Sequence, residues 1–286
     1  MADMRKTGTI RLLLLALAAA GLWIAFTQQP QPPVELTVEK ISDDLHVLVG
    51  GGGNVAVYST PEGVLLVDDK FDQHVPQILA KVKTVTDQPV RYVLNTHQHG
   101  DHTGGNARLM AQNAEIIAHR NARANMAQGS MPGVPRIAFS EETSVFLGNK
   151  EVRARYFGRG HTNGDALIFF PQHRVLHTGD MFVSGTPFID YSAGGSGIEW
   201  TNTLKAAMKL DFDTVIPGHG PIMKRADLEK WVSTFETVRS RLGDLRRQGK
   251  SKEEVAQLLK IDDLGWQPSR FWNERSVPGL YDELGR

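Results

Sequence analysis

The chain has 286 residues, enough for one large domain or two small ones, and its 41% hydrophobic content with 28 glycines suits a globular α/β protein rich in tight turns. Lys+Arg and Asp+Glu both number 32, so the net charge is zero, and nothing in that balance favours nucleic acid or an acidic membrane surface. Cysteine is absent, which excludes disulfides, thiolate metal ligands, a cysteine nucleophile and lipid anchoring through cysteine.

At the N-terminus, Arg5, Lys6 and Arg11 precede or open an apolar run from Leu12 to Phe26. A positive start and a run of this length read as a secretory signal over residues 1–27, with an uncleaved anchor as the alternative. The run falls short of the roughly 20 residues that comfortably span a bilayer. Either reading predicts an exported domain, periplasmic or secreted, with the membrane a partner only through this segment if it stays uncleaved. Residues 28–35 read as a Pro/Gln linker.

Residues 36–70 read as strands joined by turns: Leu45 to Val49, Val55 to Tyr58 after the Gly50–Gly53 break, and Val64 to Val67 ending at Asp68-Asp69. Asp68 reads either as a turn cap or as a carboxylate that holds a ligand histidine. His46 and His74 read as surface groups. Val75 to Val85 has helical spacing, and Val90 to Asn95 is a short β-branched and aromatic strand after Pro89.

That strand runs into Thr96-His97-Gln98-His99-Gly100-Asp101-His102, and the chain from Gly104 to Ala114 reads as the start of a helix. Three histidines and an aspartate thus fall within six residues at a strand end, where open α/β sheets place their ligand sites. Imidazole and carboxylate are ligands that zinc takes, and such groups are costly to crowd together without a metal.

Glu115 to Ala118 reads as a strand with His119 as a turn or cap residue, Asn121 to Gln128 as helical, and Gly129 to Pro135 as a loop beside the site. Val145 to Leu147 and Val152 to Phe157 read as strands of a second sheet. His161 follows in a glycine-rich turn. Ala166 to Phe170 is a buried strand, Arg174 to Gly179 is a strand ending at Asp180, and Trp200 to Leu210 reads as a helix. Thr214 to Pro217 is a strand followed by Gly218-His219. A hydrophobic strand ending in a metal-type ligand therefore recurs four times. Residues 36–225 hold all of these strands, and the character of the chain changes from Ala226. Residues 226–286 form an extension with amphipathic helices over 226–247 and 251–260; it reads as a cap on one side of the sheet, with a substrate or dimer surface as the alternative.

Seven candidate ligands are too many for one tetrahedral ion. They suit two: His97, His99 and His161 on the first, Asp101, His102 and His219 on the second, with Asp180 bridging. Two zinc ions per chain, roughly 3.5–4 Å apart, would hold a water between them, lower its pKa toward neutrality and polarise a carbonyl. Iron or manganese are the alternatives to zinc. Asp101 would also orient the hydroxide and pass a proton. His177 lies on a strand ending at Asp180 and is expected to stay off the metals.

The run His97-Gln98-His99-Gly100-Asp101-His102, the Gly160-His161-Thr162 turn, the strand end Thr178-Gly179-Asp180 and Pro217-Gly218-His219-Gly220 together resemble the metallo-β-lactamase superfamily. The Val67-Asp68 strand end resembles its first motif. The resemblance implies an α/β fold, the αβ/βα sandwich, with two facing mixed β-sheets, helices outside and metals at one edge. It also implies that Asp68 supports a ligand histidine.

The resemblance leaves several branches. β-Lactamases with an all-histidine second site share the histidines and Asp101, but an acid at Asp180 looks more like glyoxalase II, lactonases and related ester or thioester hydrolases. The branch with a cysteine ligand is excluded by composition, and the flavodiiron branch has a glutamate where His99 stands. A mononuclear iron persulfide dioxygenase is a minor alternative. The expectation is an exported metal-dependent hydrolase of a small-molecule cyclic amide or ester, with β-lactam opening the sharpest activity to name and lactone or thioester hydrolysis the alternative. Asn163 and Tyr191 are the candidate substrate contacts, as donors to an oxyanion, with turn stabilisation and packing as the competing reading. Phe188 and Trp200 are read as core residues, with the pocket wall as the alternative.

Overall fold

The structure is a computed structural model that describes residues 34–285. The expected export segment and nearly all of the linker lie outside the described residues.

The first sheet has seven strands in chain order: β1 (Thr37–Lys40), β2 (Leu45–Val49), β3 (Val55–Thr60), β4 (Gly63–Val67), β5 (Val90–Asn95), β6 (Glu115–His119) and β7 (Ile137–Phe139). β1 to β4 form an antiparallel meander; β4 to β7 run parallel. Parallel neighbours need crossovers. These are helix α1 (Val75–Lys83), the short helices α2 (Gly100–Thr103) and α3 (Asn106–Met110), and α4 (Arg120–Gln128).

The second sheet contains β8 (Glu142–Leu147), β9 (Lys150–Tyr156), β10 (Ala166–Phe170), β11 (Val175–Gly179), β12 (Thr214–Pro217) and β13 (Met223–Lys224), ordered from β13 back to β8. Its one parallel pair is β11 with β12, joined through helix α5 (Gly197–Ala207).

The two-residue period of a strand sorts the side chains into layers. In β3, Ala56 and Tyr58 enter the core between the sheets, while Val55 and Val57 face the core under α1. In β10, Ala166, Ile168 and Phe170 face the other sheet, while Leu167 and Phe169 face the helices on the far side. Both faces of these strands are covered, which is why they read as continuous apolar runs. The result is the expected sandwich of two sheets with helices outside.

The chain after β13 is helical: α6 (Arg225–Arg247), α7 (Lys252–Leu258) and α8 (Val277–Glu283). These helices pack on the outer face of the second sheet through an aromatic cluster. Trp231 stacks on Phe235 with centroids 5.5 Å apart and planes 7° from parallel, and Trp266 lies 5.5 Å from Trp231. Trp200 from α5 completes the contact at 5.6 Å.

Two helix boundaries differ from the sequence reading. The helix expected from Trp200 starts at Gly197, because Ser196 caps it by accepting from the Glu199 amide. The helix expected from Gly104 begins at Asn106 as α3, and a separate short helix, α2, precedes it; at Gly104 and Gly105 between them, Cβ atoms would press on the backbone of Phe71 and on Asp69 at 2.9–3.0 Å.

Candidate metal centre

Each ligand stands where a strand stops. His97 and His99 follow β5, with His99 as the N-terminal cap residue of α2. Asp101 and His102 occupy the first turn of α2. His161 lies between β9 and β10, Asp180 follows β11, and His219 follows β12. Both sheets deliver these ends to one edge of the sandwich.

The seven side chains form two groups. His97, His99, His161 and Asp180 offer ligand atoms that all lie within 4.8 Å of one another, as do Asp101, His102 and His219. In the first, His99 Nδ1 is 3.2 Å from His97 Nε2 and 2.9 Å from His161 Nε2. In the second, His102 Nε2 is 3.3 Å from His219 Nε2, and Asp101 Oδ2 is 3.2 Å from His219 Nε2. Asp180 lies between them. Its Oδ2 is 3.7 Å from His161 Nε2, and its Oδ1 is 3.2 Å from His102 Nε2 and 3.3 Å from His219 Nε2. That is the geometry of a bridging carboxylate.

The outer nitrogens show which atoms face inward. His99 Nε2 lies 2.9 Å from the Asp190 carboxylate, His161 Nδ1 2.6 Å from the Phe188 carbonyl, and His102 Nδ1 2.8 Å from Asp68 Oδ2. Oxygen acceptors of this kind require the imidazole to donate. His97 Nδ1 meets the Thr96 hydroxyl at 3.0 Å, and that hydroxyl donates to Asp68 Oδ2 at 2.8 Å, so His97 donates as well. His97 and His161, with their protons held outward, turn the lone pairs of their Nε2 atoms toward His99 Nδ1, 3.2 and 2.9 Å away. Lone pairs so placed repel unless a cation sits among them. Asp180 Oδ1, buried and without a hydrogen bond, tells the same story. The residues fit a pair of metal ions.

Electrostatics divide the two groups. Burial and the neighbouring imidazoles push the His161 pKa down to about 4, and burial pushes that of His97 well below the ordinary range. Both rings are neutral at pH 7, the form a metal requires. For His102 and His219 burial also opposes the charged ring, but Asp180 with Asp68 or Asp101 outweighs it. His102 is raised well above its ordinary value and His219 to about 9. Asp101 is held at about 2, with burial opposed and outweighed by His219 and His102, so it is ionised.

Asp68 does what the resemblance implied, binding Thr96 and His102 together; it also receives the Thr96 amide at 2.7 Å. It achieves this from a left-handed backbone (φ 63°), as does Lys70 (φ 59°). Such conformations cost a non-glycine residue on the order of 1 kcal/mol or more and cluster at functional sites. The buried Lys70 ammonium donates to the Gly53 carbonyl. The glycine loop there lies against the second group: a Cβ on Gly53 would overlap the His102 ring.

The structure brings together His97, His99, His161, Asp180, Asp101, His102 and His219. Tyr191 and Asn163 do not join them. The Tyr191 hydroxyl donates to Glu283 Oε2 at 2.8 Å, because its ring turns toward α8 and packs over Gly279. Asn163 Oδ1 accepts from Asn125 at 3.0 Å within a set of amides that also includes Gln98. His177 stays off the metal groups, with Nε2 3.2 Å from the Asn54 carbonyl. His74 is buried rather than superficial, tucked under Gly51. His119 caps α4.

Two residues escaped the sequence reading. Thr96 reads there only as part of the motif's lead-in, and Asp190 is not singled out; in the structure its carboxylate also accepts from the Ser192 and Ala193 amides. Only the fold brings Asp190 to His99, 91 residues away.

A cavity of about 560 Å³ opens over His99, Asp101, Asp180 and His219. Phe71, Phe188, Phe271 and Arg275 wall it, with Ser184 and Thr186. Phe188 thus faces the cavity, since its carbonyl is tied to His161 and its ring stacks against His99 at 6.1 Å. Trp200 is fully buried, with its indole N–H on the Met181 carbonyl. The loop after α4 borders a smaller cavity of about 350 Å³ on the other side of His99 and Asp190, through Gly129 and Met131.

The sequence profile described as the metallo-beta-lactamase superfamily matches residues 48–219. The chain is 28% identical over 177 residues to the type 2 metallo-beta-lactamase of Bacillus cereus, covering 60% of this chain and 68% of that one. It is 34% identical over 105 residues to the hydroxyacylglutathione hydrolase of Crocosphaera subtropica, covering 37% of each. Among solved structures, a metallo-beta-lactamase from Pontibacter korlensis superposes with a TM-score of 0.65 at 22% identity, covering 70% of this chain and 99% of that one; that likeness concerns the fold.

Proposed function

The chain belongs to the metallo-β-lactamase superfamily of metal-dependent hydrolases, and from that membership we propose that it is an exported dinuclear zinc enzyme that opens a cyclic amide or ester, of the β-lactam type. The observation that carries this reading is the pair of inward-facing ligand groups divided by Asp180, at the floor of an open cavity. Nitrogen and oxygen donors in this number suit zinc. The basic, apolar N-terminal sequence supports export.

Bound metal ions would supply a hydroxide nucleophile near neutral pH and polarise the scissile carbonyl. The protein's own part is positional. His97, His99 and His161 turn one ring nitrogen each to the site, and their outer nitrogens are fixed by Thr96, Asp190 and the Phe188 carbonyl. Asp180 spaces the two groups. Asp101, ionised and open to the cavity, orients the attacking water and takes up its proton. Phe71, Phe188 and Phe271 limit bulk water around the reacting bond.

Hydrolysis of a lactone or thioester is the second reading. Asp180 supports it through the resemblance to glyoxalase II, as does the similarity to the hydroxyacylglutathione hydrolase. The test is the metal content of protein purified without added metal, with turnover of a chromogenic cephalosporin on the same sample. Two zinc ions per chain and rapid turnover are expected. Two zinc ions with turnover only of lactones or thioesters would select the second reading. A single iron would overturn both and favour the oxygenase.

A further inference from the structure

Three consecutive residues at the end of β4 bear on the second ligand group, and the third of them is a buried cation. The Asp68 carboxylate lies against His102 Nδ1, and the Asp69 amide donates to the His102 carbonyl at 2.8 Å. Lys70 follows. Its side chain is fully buried, and its ammonium donates to the Gly53 carbonyl. Burial draws its pKa down to about 8, against the opposing charges of Asp68 and Asp101, so it stays mostly protonated at pH 7. Burying a charge is costly, and so is the left-handed backbone that Lys70 adopts (φ 59°).

What Lys70 holds is a brace between the ligands of the two sheets. Gly53 donates its amide to the Asp101 carbonyl at 3.1 Å, and it lies so near the His102 ring that a Cβ would overlap it. The next residue, Asn54, is buried and reaches the other way. Its backbone amide donates to the Gly218 carbonyl at 2.7 Å, and its side chain donates to the carbonyls of Pro217 and Gly220, both at 2.9 Å. Those carbonyls stand on either side of His219 in the chain. Residues 53 and 54 therefore span from Asp101 and His102, delivered by the first sheet, to His219, delivered by the second. Gly50, Gly51 and Gly52, just before the brace, have no side chains to anchor it; Lys70 supplies the anchor.

We propose that Lys70 is a positioning residue for the second metal ion: it pins the Gly53-Asn54 brace that fixes how far His219 stands from Asp101 and His102. This rests on the two-ion reading of the site and not on which bond is hydrolysed. The lysine acts as a hydrogen-bond donor and in spite of its charge, because a cation beside the second group repels a metal ion. The two effects of removing it therefore have opposite signs. The first group does not draw on the brace, since Thr96, Asp190 and the Phe188 carbonyl hold its histidines.

Metal binding, read without turnover, tests this role. Zinc is titrated calorimetrically, against a competing chelator, into metal-free wild type, Lys70→Met and Asn54→Ala. His219→Ala identifies the step that belongs to the second group, and cobalt absorption spectra at one and two equivalents follow the same steps. Lys70→Met is expected to weaken the second step by about 10–100-fold and to leave the first little changed. Asn54→Ala should show the same selective loss with the lysine intact, so the brace is tested even if Lys70→Met does not fold. A second step that tightens in Lys70→Met would mean that Lys70 acts through its charge, and would overturn the proposal. An unchanged second step, or equal weakening of both steps, in either variant that folds would overturn it too. A wild type that takes up only one ion would overturn the two-ion reading and this role together. Selective loss of the second ion in a protein that hydrolyses nothing would uphold the role and sink the hydrolase reading.

Discussion

The Asp190 carboxylate lies 2.9 Å from His99 Nε2, and that contact determines which nitrogen of the ring reaches the metal centre. With its proton held at Nε2, His99 presents Nδ1, whereas His97, His102 and His161 all present Nε2. A carboxylate behind a ligand histidine both fixes the tautomer and strengthens the donor. Asp190→Ala should lower metal affinity at the first group by about 10–100-fold while the second is affected less. Competition with a chelator of known affinity would measure it, and equal weakening of both groups would disprove the specific role.

His219→Ala should remove the second metal and most of the hydrolysis while the first metal remains. Asp180→Ala should lower occupancy of both, since its two oxygens face different groups. Elemental analysis of the two purified variants is the check. Full occupancy in His219→Ala would refute the ligand assignment.

Gly53→Ala should act like a ligand mutation although glycine has no ligand atom. The added Cβ has no space beside His102. Loss of the second metal with retention of the fold, followed by metal analysis and circular dichroism, is the expected result. A variant with normal metal content would mean that the loop moves aside at little cost.

The stability of the protein should fall between about pH 4 and 7 through one buried acid. Asp165 is buried beside Thr162, and burial lifts its pKa from 3.8 to about 7 despite hydrogen bonds from the Thr162 amide and hydroxyl at 2.7 and 2.6 Å. The folded protein keeps a proton that the unfolded chain releases above 3.8. Folding is therefore penalised as pH rises through this window, and the penalty is complete above about 7, where it is on the order of 4 kcal/mol. Asp165→Asn cannot ionise. Its stability relative to wild type should improve from pH 5 to pH 8 in denaturant titrations; a pH-independent difference would contradict the raised pKa.

The ligands were legible in the sequence because each of them ends a hydrophobic strand, and a strand is a local pattern. The sandwich was implied by the family resemblance that the ligand motifs carry. Asp68 could be read in two ways until its family motif was considered, since its partners Thr96 and His102 lie 28 and 34 residues away. Asp190 gave no signal beyond a turn, because its role depends on a long-range approach. Tyr191 and Asn163 were offered as substrate contacts against a reading of turn stabilisation and packing, and the structure gives them partners of the second kind. Proximity in sequence to a ligand does not fix where a side chain points, and both turned to partners on other elements. Phe188 was expected in the core on hydrophobicity alone, which does not register that a backbone tie to His161 holds it at the cavity.

The ligands of the second group come from opposite sheets, His102 beyond β5 and His219 beyond β12, 117 residues apart in the chain. An ion held by both is a staple across the seam of the sandwich as well as a reagent. Its binding energy is available only to the closed fold, so it adds to the folding free energy. Metal supply would then govern how long each molecule survives attack by proteases. Scarcity of metal would thin the population of the enzyme before it slowed the remaining copies.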